Sequence, residues 1–372
     1  MELLTVQRYW KGPRIVHDET IASWTYRCAY DPSCEVITTL DLDGLVFIPK
    51  ALDLNSGSDL SNPSFDFDIS NELFKKIVKH YKLSAQAVDK LFGYEQKNLL
   101  DPMFRSAYCA ECLKDDITHF GLPAWRRSWC YVHAPFCLIH KRLLSVSADV
   151  SPAKACAAFV SLDENLGDFG SRKFQSETTL VLIRNFLAIR VQLWINRLYV
   201  LSRNNLTHPH AREMLQCVDL LLKRLLRVPS RKYKRGLARY LFGYRRDSWY
   251  PDYVPVDKLE DIGWLTGLPA QRMCALLLLG NLVGLYSDDE IAWLDKLSRQ
   301  RGFLWPRSLA DLVDSVLHVE NNRQVCNVLS PFLKAAKTKT TIDWASRFLN
   351  HVITNNKTGF NSPSQWHQIR CS

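Results

Sequence analysis

Apolar residues recur at spacings of three and four along residues 13–30, PRIVHDETIASWTYRCAY, where Ile21, Trp24 and Cys28 fall on one face. The spacing predicts a helix, with Asp18 as its cap. Residues 40–70 are rich in Asp, Ser, Asn and Gly and read as a surface loop. Residues 71–94 predict two short helices about a tight turn. Leu73 and Ile77, then Phe74 and Val78, pair at i,i+4; Ser84 caps the second helix, which buries Val88 and Leu91. That is helix-turn-helix geometry, shared with many helical hairpins that never touch DNA. From about residue 175 the pattern is helical almost throughout. Ser287 and Glu290 form a capping box before Ile291, Leu294 and Leu297, and SLADLVDSVLHV aligns Leu309, Leu312, Val313 and Val316. The polar stretch from about 352 predicts frayed chain.

Composition narrows the class. With 372 residues, 47% apolar and 23% charged, the chain can build two or three compact units with ample cores. A net charge of +10 favours a polyanionic partner through counterion release, although charge alone does not identify one. MELLTVQRYWKG has neither the apolar core nor the small-residue cleavage site of a signal peptide. Arg184, Arg190 and Arg197 interrupt one membrane-like run, and CALLLLGNLVGLY is too short to span, so no membrane partner is expected. Eleven cysteines, an odd number scattered along the chain, suit a reducing compartment and a cytoplasmic location.

The strongest chemical signal lies in YCAECLKDDITHFGLPAWRRSWCYVHAPFCLIHKRLL. Cys109-x2-Cys112 and Cys137-x2-His140 each place two donors on one ion through a tight turn, and two such turns complete a tetrahedron. Three thiolates and an imidazole leave no open position, so the implied metal is a single structural zinc. Cys130-x2-His133 has the same spacing as Cys137-x2-His140, and local spacing does not choose between them.

This sequence resembles the TniQ/TnsD family of transposition proteins over roughly residues 13–145. HDETIASWTYRCA is similar to the family's N-terminal signature at Glu19, Ser23, Trp24 and Arg27. The finger resembles the TnsD-type form, whose long spacer carries an acidic-Ile pair, a Phe-Gly pair and a Trp. Here these are Asp116-Ile117, Phe120-Gly121 and Trp125, within the 24 residues between Cys112 and Cys137. The resemblance implies Cys109, Cys112, Cys137 and His140 as the ligands. Many relatives carry a second zinc ribbon; the corresponding stretch here has only Cys156. The resemblance further implies an adaptor that reads DNA or sits on a CRISPR Cascade ribonucleoprotein, and recruits an AAA+ ATPase and, through it, the transposase. It suggests that the N-terminal end, with Arg27, faces the ATPase.

Residues 220–246 contain ten Lys/Arg and no acid, with tyrosines interleaved. Arg231, Lys232, Lys234 and Arg235 are the candidate nucleic-acid contacts. Catalytic signals are poor: there is no phosphate-binding G-x-x-x-x-G-K-[ST] loop, Asp168-Phe169-Gly170 lacks a preceding H-R-D, and His208-Pro-His210 lacks a third ligand. The expectation is therefore a non-enzymatic, mainly α protein. An N-terminal helical, helix-turn-helix region with an inserted zinc finger occupies 1–150, and an α-helical domain occupies 151–372. A transcription regulator and, more distantly, a metal-dependent nuclease are the alternatives. The oligomeric state stays open, a homodimer included.

Overall fold

The computed structural model describes residues 13–30, 65–67, 70–92, 98–147, 154–169, 179–203, 209–242, 249–300 and 305–306. Among them are eleven α-helices and two small antiparallel sheets, so the fold is mainly α. The helix expected over 308–319, the tail from 352, His208 and most of the loop over 40–70 lie outside the described residues.

Helix α1 spans Ile21–Tyr30 and is shorter at its start than the sequence pattern predicts. Asp18 is not its cap. It sits in the left-handed region at φ 63°, and its carboxylate accepts from the backbone N–H of Ser128 at 2.9 Å. Thr20 caps the helix instead, its Oγ1 accepting from Ser23 N–H at 3.3 Å. Helices α2 (Glu72–His80) and α3 (Ala85–Phe92) form the expected hairpin. Ser84 caps α3 through a 3.1 Å bond from Ala87 N–H, and Lys82, at φ 52°, makes the turn. Trp24 of α1 fills the space between the hairpin helices and meets Tyr81 edge-on, with ring centroids 4.8 Å apart.

The cysteine-rich stretch folds as β1 (Ala107–Tyr108), α4 (Ala110–Phe120), the hairpin β2 (Phe136–Cys137) and β3 (Arg142–Leu143), and β4 (Ser145–Val146). β4 returns to pair antiparallel with β1, which closes the unit on itself. Helix α5 (Lys154–Phe169) packs on α4.

Six helices form the remaining body: α6 (Thr179–Arg203), α7 (Pro209–Leu226), α8 (Leu237–Leu241), α9 (Val256–Leu265), α10 (Pro269–Leu282) and α11 (Asp288–Gln300). Apolar on nearly every side, α10 is buried against α6, α7 and α8. Gly263 lets α9 lie directly on the end of α7, because a Cβ there would stand 2.1 Å from the Leu226 carbonyl oxygen. The capping box of α11 forms as expected: Ser287 N–H donates to Glu290 at 3.0 Å, and Glu290 N–H donates to Ser287 Oγ at 3.3 Å.

The finger and this body share a core. Leu100, Val132 and Phe136 join the apolar cluster of α6, α7 and α10. Gln192 of α6 bonds both the N–H and the carbonyl of Phe136, at 3.1 and 3.0 Å. Among the described residues no single helix is long and apolar enough to cross a membrane.

Candidate metal centre

Cys109 sits at the start of α4 and Cys112 in its first turn, where unpaired N–H groups favour negative charge on sulfur. The second pair lies on the tight turn between β2 and β3. There the backbone N–H of His140 points at Cys137 Sγ, 3.5 Å away, and Lys141 turns the chain at φ 53°. The four ligand atoms lie within 4.8 Å of one another. Cys112 and Cys137 sulfurs are 3.6 Å apart, and His140 Nδ1 lies 3.4, 3.3 and 3.7 Å from Cys109, Cys112 and Cys137. A tetrahedral ion with metal–sulfur bonds of about 2.3 Å and metal–nitrogen bonds of about 2.0 Å requires edges of roughly 3.8 Å between sulfurs and 3.5 Å between sulfur and nitrogen. The arrangement therefore fits a structural metal.

Of the three thiols, Cys137 alone is biased toward the thiolate, and its neighbours and burial push Cys109 up. Hydrogen bonds from Cys109 and Cys112 pull Cys137 down to about 2, while Cys112, donating to Cys109 and then Cys137, is pushed up. The other ring nitrogen of His140 faces Asp115 Oδ2 at 3.0 Å. That carboxylate fixes the tautomer that leaves Nδ1 free for a metal. Asp115 was not singled out from sequence, yet it follows Cys112 by three residues and so shares its side of α4.

The rival pair belongs to the core. Cys130 is fully buried with its sulfur 3.8 Å from the Arg126 carbonyl, and burial pushes its thiol up. His133 stacks on Tyr199 of α6 at 4.8 Å, and burial lowers it to about 4, holding the ring neutral. Neither joins a metal-holding group among the described residues.

The signature residues meet one another across the join between α1 and the finger. Ser23 Oγ donates to Glu19 at 3.0 Å and accepts from Trp125 N–H at 2.9 Å. Thr20 N–H donates to the Trp125 carbonyl at 2.9 Å. Asp116 accepts from Ala124 N–H at 3.1 Å and pairs with Arg126, and Gly121 ends α4 at φ 76°. Arg27, which the resemblance suggests faces a partner, is placed inside. It is 1% exposed, pairs with the wholly buried Glu19 at 2.7 Å, donates to the Arg14 carbonyl and lies over the Phe120 ring. An unpaired arginine cannot be buried cheaply, and Glu19 removes that obstacle.

In the basic segment, Arg231, Lys232 and Lys234 are exposed and Arg235 is half-buried, all on the loop between α7 and α8. Their neighbours in sequence turn inward. Arg224 and Arg227 flank Glu260 of α9 at 3.9 and 3.8 Å, and Lys223 pairs with Asp261 at 2.6 Å. Arg239 donates to Gly263 and Thr266. The missing local acids are thus supplied by α9.

A closed four-donor cluster, built into a small β-hairpin finger and hydrogen-bonded to a helical N-terminal unit, has the form of a structural metal site. Residues 12–144 match the TniQ family model, so this part of the chain is a TniQ domain, which links the protein to transposition. The comparisons with curated proteins and with solved structures find no match.

Proposed function

We propose that the protein is a target-selection adaptor for a transposon. In this reading the TniQ domain is held by one zinc on Cys109, Cys112, Cys137 and His140. The protein recognises target DNA or an RNA-guided Cascade complex, and it recruits the AAA+ ATPase that brings in the transposase. The observation that carries the reading is the match of residues 12–144 to TniQ. The set of three thiols and one imidazole supports zinc, whose structural sites favour these ligands. Four protein ligands leave no position for substrate, so the metal's contribution is to folding, and the protein acts by binding. Arg231, Lys232, Lys234 and Arg235 supply phosphate contacts on the target side.

Affinity purification of the tagged full chain from its native host, with and without nuclease, tests this reading. An AAA+ ATPase that stays bound after nuclease supports it, and co-purifying Cascade subunits or nuclease-sensitive DNA identify the target. Recovery of no transposition component under either condition would overturn it.

A further inference from the structure

The basic loop between α7 and α8 does not stand alone. The chain returns beside it at residues 249–253: Tyr250 N–H donates to the Pro229 carbonyl at 3.1 Å, Ser230 and Tyr250 form a parallel bridge, and Lys232 N–H donates to Asp252 at 3.1 Å. Packing fixes which residues point outward. Tyr250 and Tyr233 pack on the small core of Val228, Val254, Leu259 and Ile262, and a turn bond from Val254 N–H to the Pro251 carbonyl at 3.1 Å holds the bend. Trp249 and Tyr253 are left facing solvent, 63% and 69% exposed. Two large aromatics are thereby presented beside Arg231, Lys232 and Lys234 on stapled backbone. Asp252 is exposed on this face, and its carboxylate is engaged by the loop's own backbone.

We infer that this face binds a nucleic-acid strand with unpaired bases: the loop cations hold the phosphates, and Trp249 and Tyr253 stack on successive bases. A duplex satisfies the cations equally well but offers no free base face to the rings. Exposed apolar rings of this size, carried on hydrogen-bonded backbone next to a basic loop, match the stacking platforms that single strands use. The inference rests on the nucleic-acid side of the proposed function and names the form of nucleic acid recognised.

The test is fluorescence anisotropy of full-length, zinc-loaded protein with a labelled 20-nucleotide poly(dT) strand, poly(U) of equal length, and a mixed-sequence duplex. Single strands are expected to bind tighter than duplex, and the comparison of dT with U separates DNA from RNA as the source. Trp249→Ala with Tyr253→Ala is expected to weaken single-strand binding by about tenfold or more, while leaving duplex binding and the salt slope unchanged. Trp249→Phe should recover most of the loss, which a merely structural role would not require. Arg231→Ala with Lys232→Ala and Lys234→Ala should instead weaken all three ligands and flatten the salt dependence. Equal loss on single strand and duplex, no loss from the aromatic pair, or no nucleic-acid binding by the unmodified protein would overturn the inference. Recovery of the ATPase by the aromatic double variant is measured alongside. Retained recovery separates failure of this face from failure of the adaptor reading.

Discussion

Replacing Arg27 by alanine separates an internal ion pair from a partner contact. Glu19 is fully buried; it would keep its bonds from Val16 N–H at 3.0 Å and Ser23 Oγ at 3.0 Å but lose the cation it pairs with at 2.7 Å. Breaking one side of a buried pair typically costs about 3–5 kcal/mol. That is a large share of a folding stability of about 5–15 kcal/mol. A loss near the lower figure corresponds to a fall in Tm of roughly 10 °C. The pH dependence has a definite sign. Burial pushes the Glu19 carboxyl up against the opposing pull of Arg27, so without Arg27 it rises further. A carboxyl raised above its unfolded value of about 4.3 contributes stability below that pH and loses it as pH climbs toward the folded value. The deficit of Arg27→Ala should therefore be larger at pH 8 than at pH 5. Urea unfolding followed by circular dichroism at both pH values measures it. Glu19→Gln combined with Arg27→Met, which removes both charges, should recover part of the loss. If Arg27→Ala costs less than about 1 kcal/mol while co-purification of the ATPase is lost, the internal ion pair is not what Arg27 contributes and it acts at a partner surface instead.

Cys137→Ser should strip the protein of zinc and of soluble expression, whereas Cys130→Ser should keep about one zinc per chain, as a single closed site requires; metal analysis of both purified variants decides. Asp115→Asn should leave the fold intact and weaken zinc retention by about 10–100-fold in a chelator competition, because His140 loses the carboxylate that orients it; unchanged retention would deny Asp115 that role. Gly263→Ala should destabilise by about 2 kcal/mol or more despite alanine's better helix propensity, since its Cβ would meet the Leu226 carbonyl oxygen at 2.1 Å; an unchanged urea midpoint would show that α9 shifts freely off α7.

What could be read from the sequence was local. The hairpin of α2 and α3, the Ser84 cap, the Ser287–Glu290 box and the paired donors of the finger depend on residues three or four apart, whose relative placement the backbone geometry of a turn or helix sets. The TniQ resemblance was legible for the same reason, carried by short clusters such as Asp116-Ile117 and Phe120-Gly121. Tertiary structure decided whatever depends on distant neighbours. Cys130-x2-His133 and Cys137-x2-His140 are alike in spacing, but Tyr199 of α6 and the Arg126 carbonyl take the first into the core, while the first turn of α4 meets the second. Arg27 looked placed for a partner until Glu19 and Phe120 closed over it. The basic stretch read as one surface, yet Glu260 draws Arg224 and Arg227 inward and leaves the loop of Arg231 outside, beside a tryptophan and a tyrosine nearly twenty residues further on. Whether a charge is solvated or paired depends on what lies within a few ångströms of it, and that is a property of the folded chain.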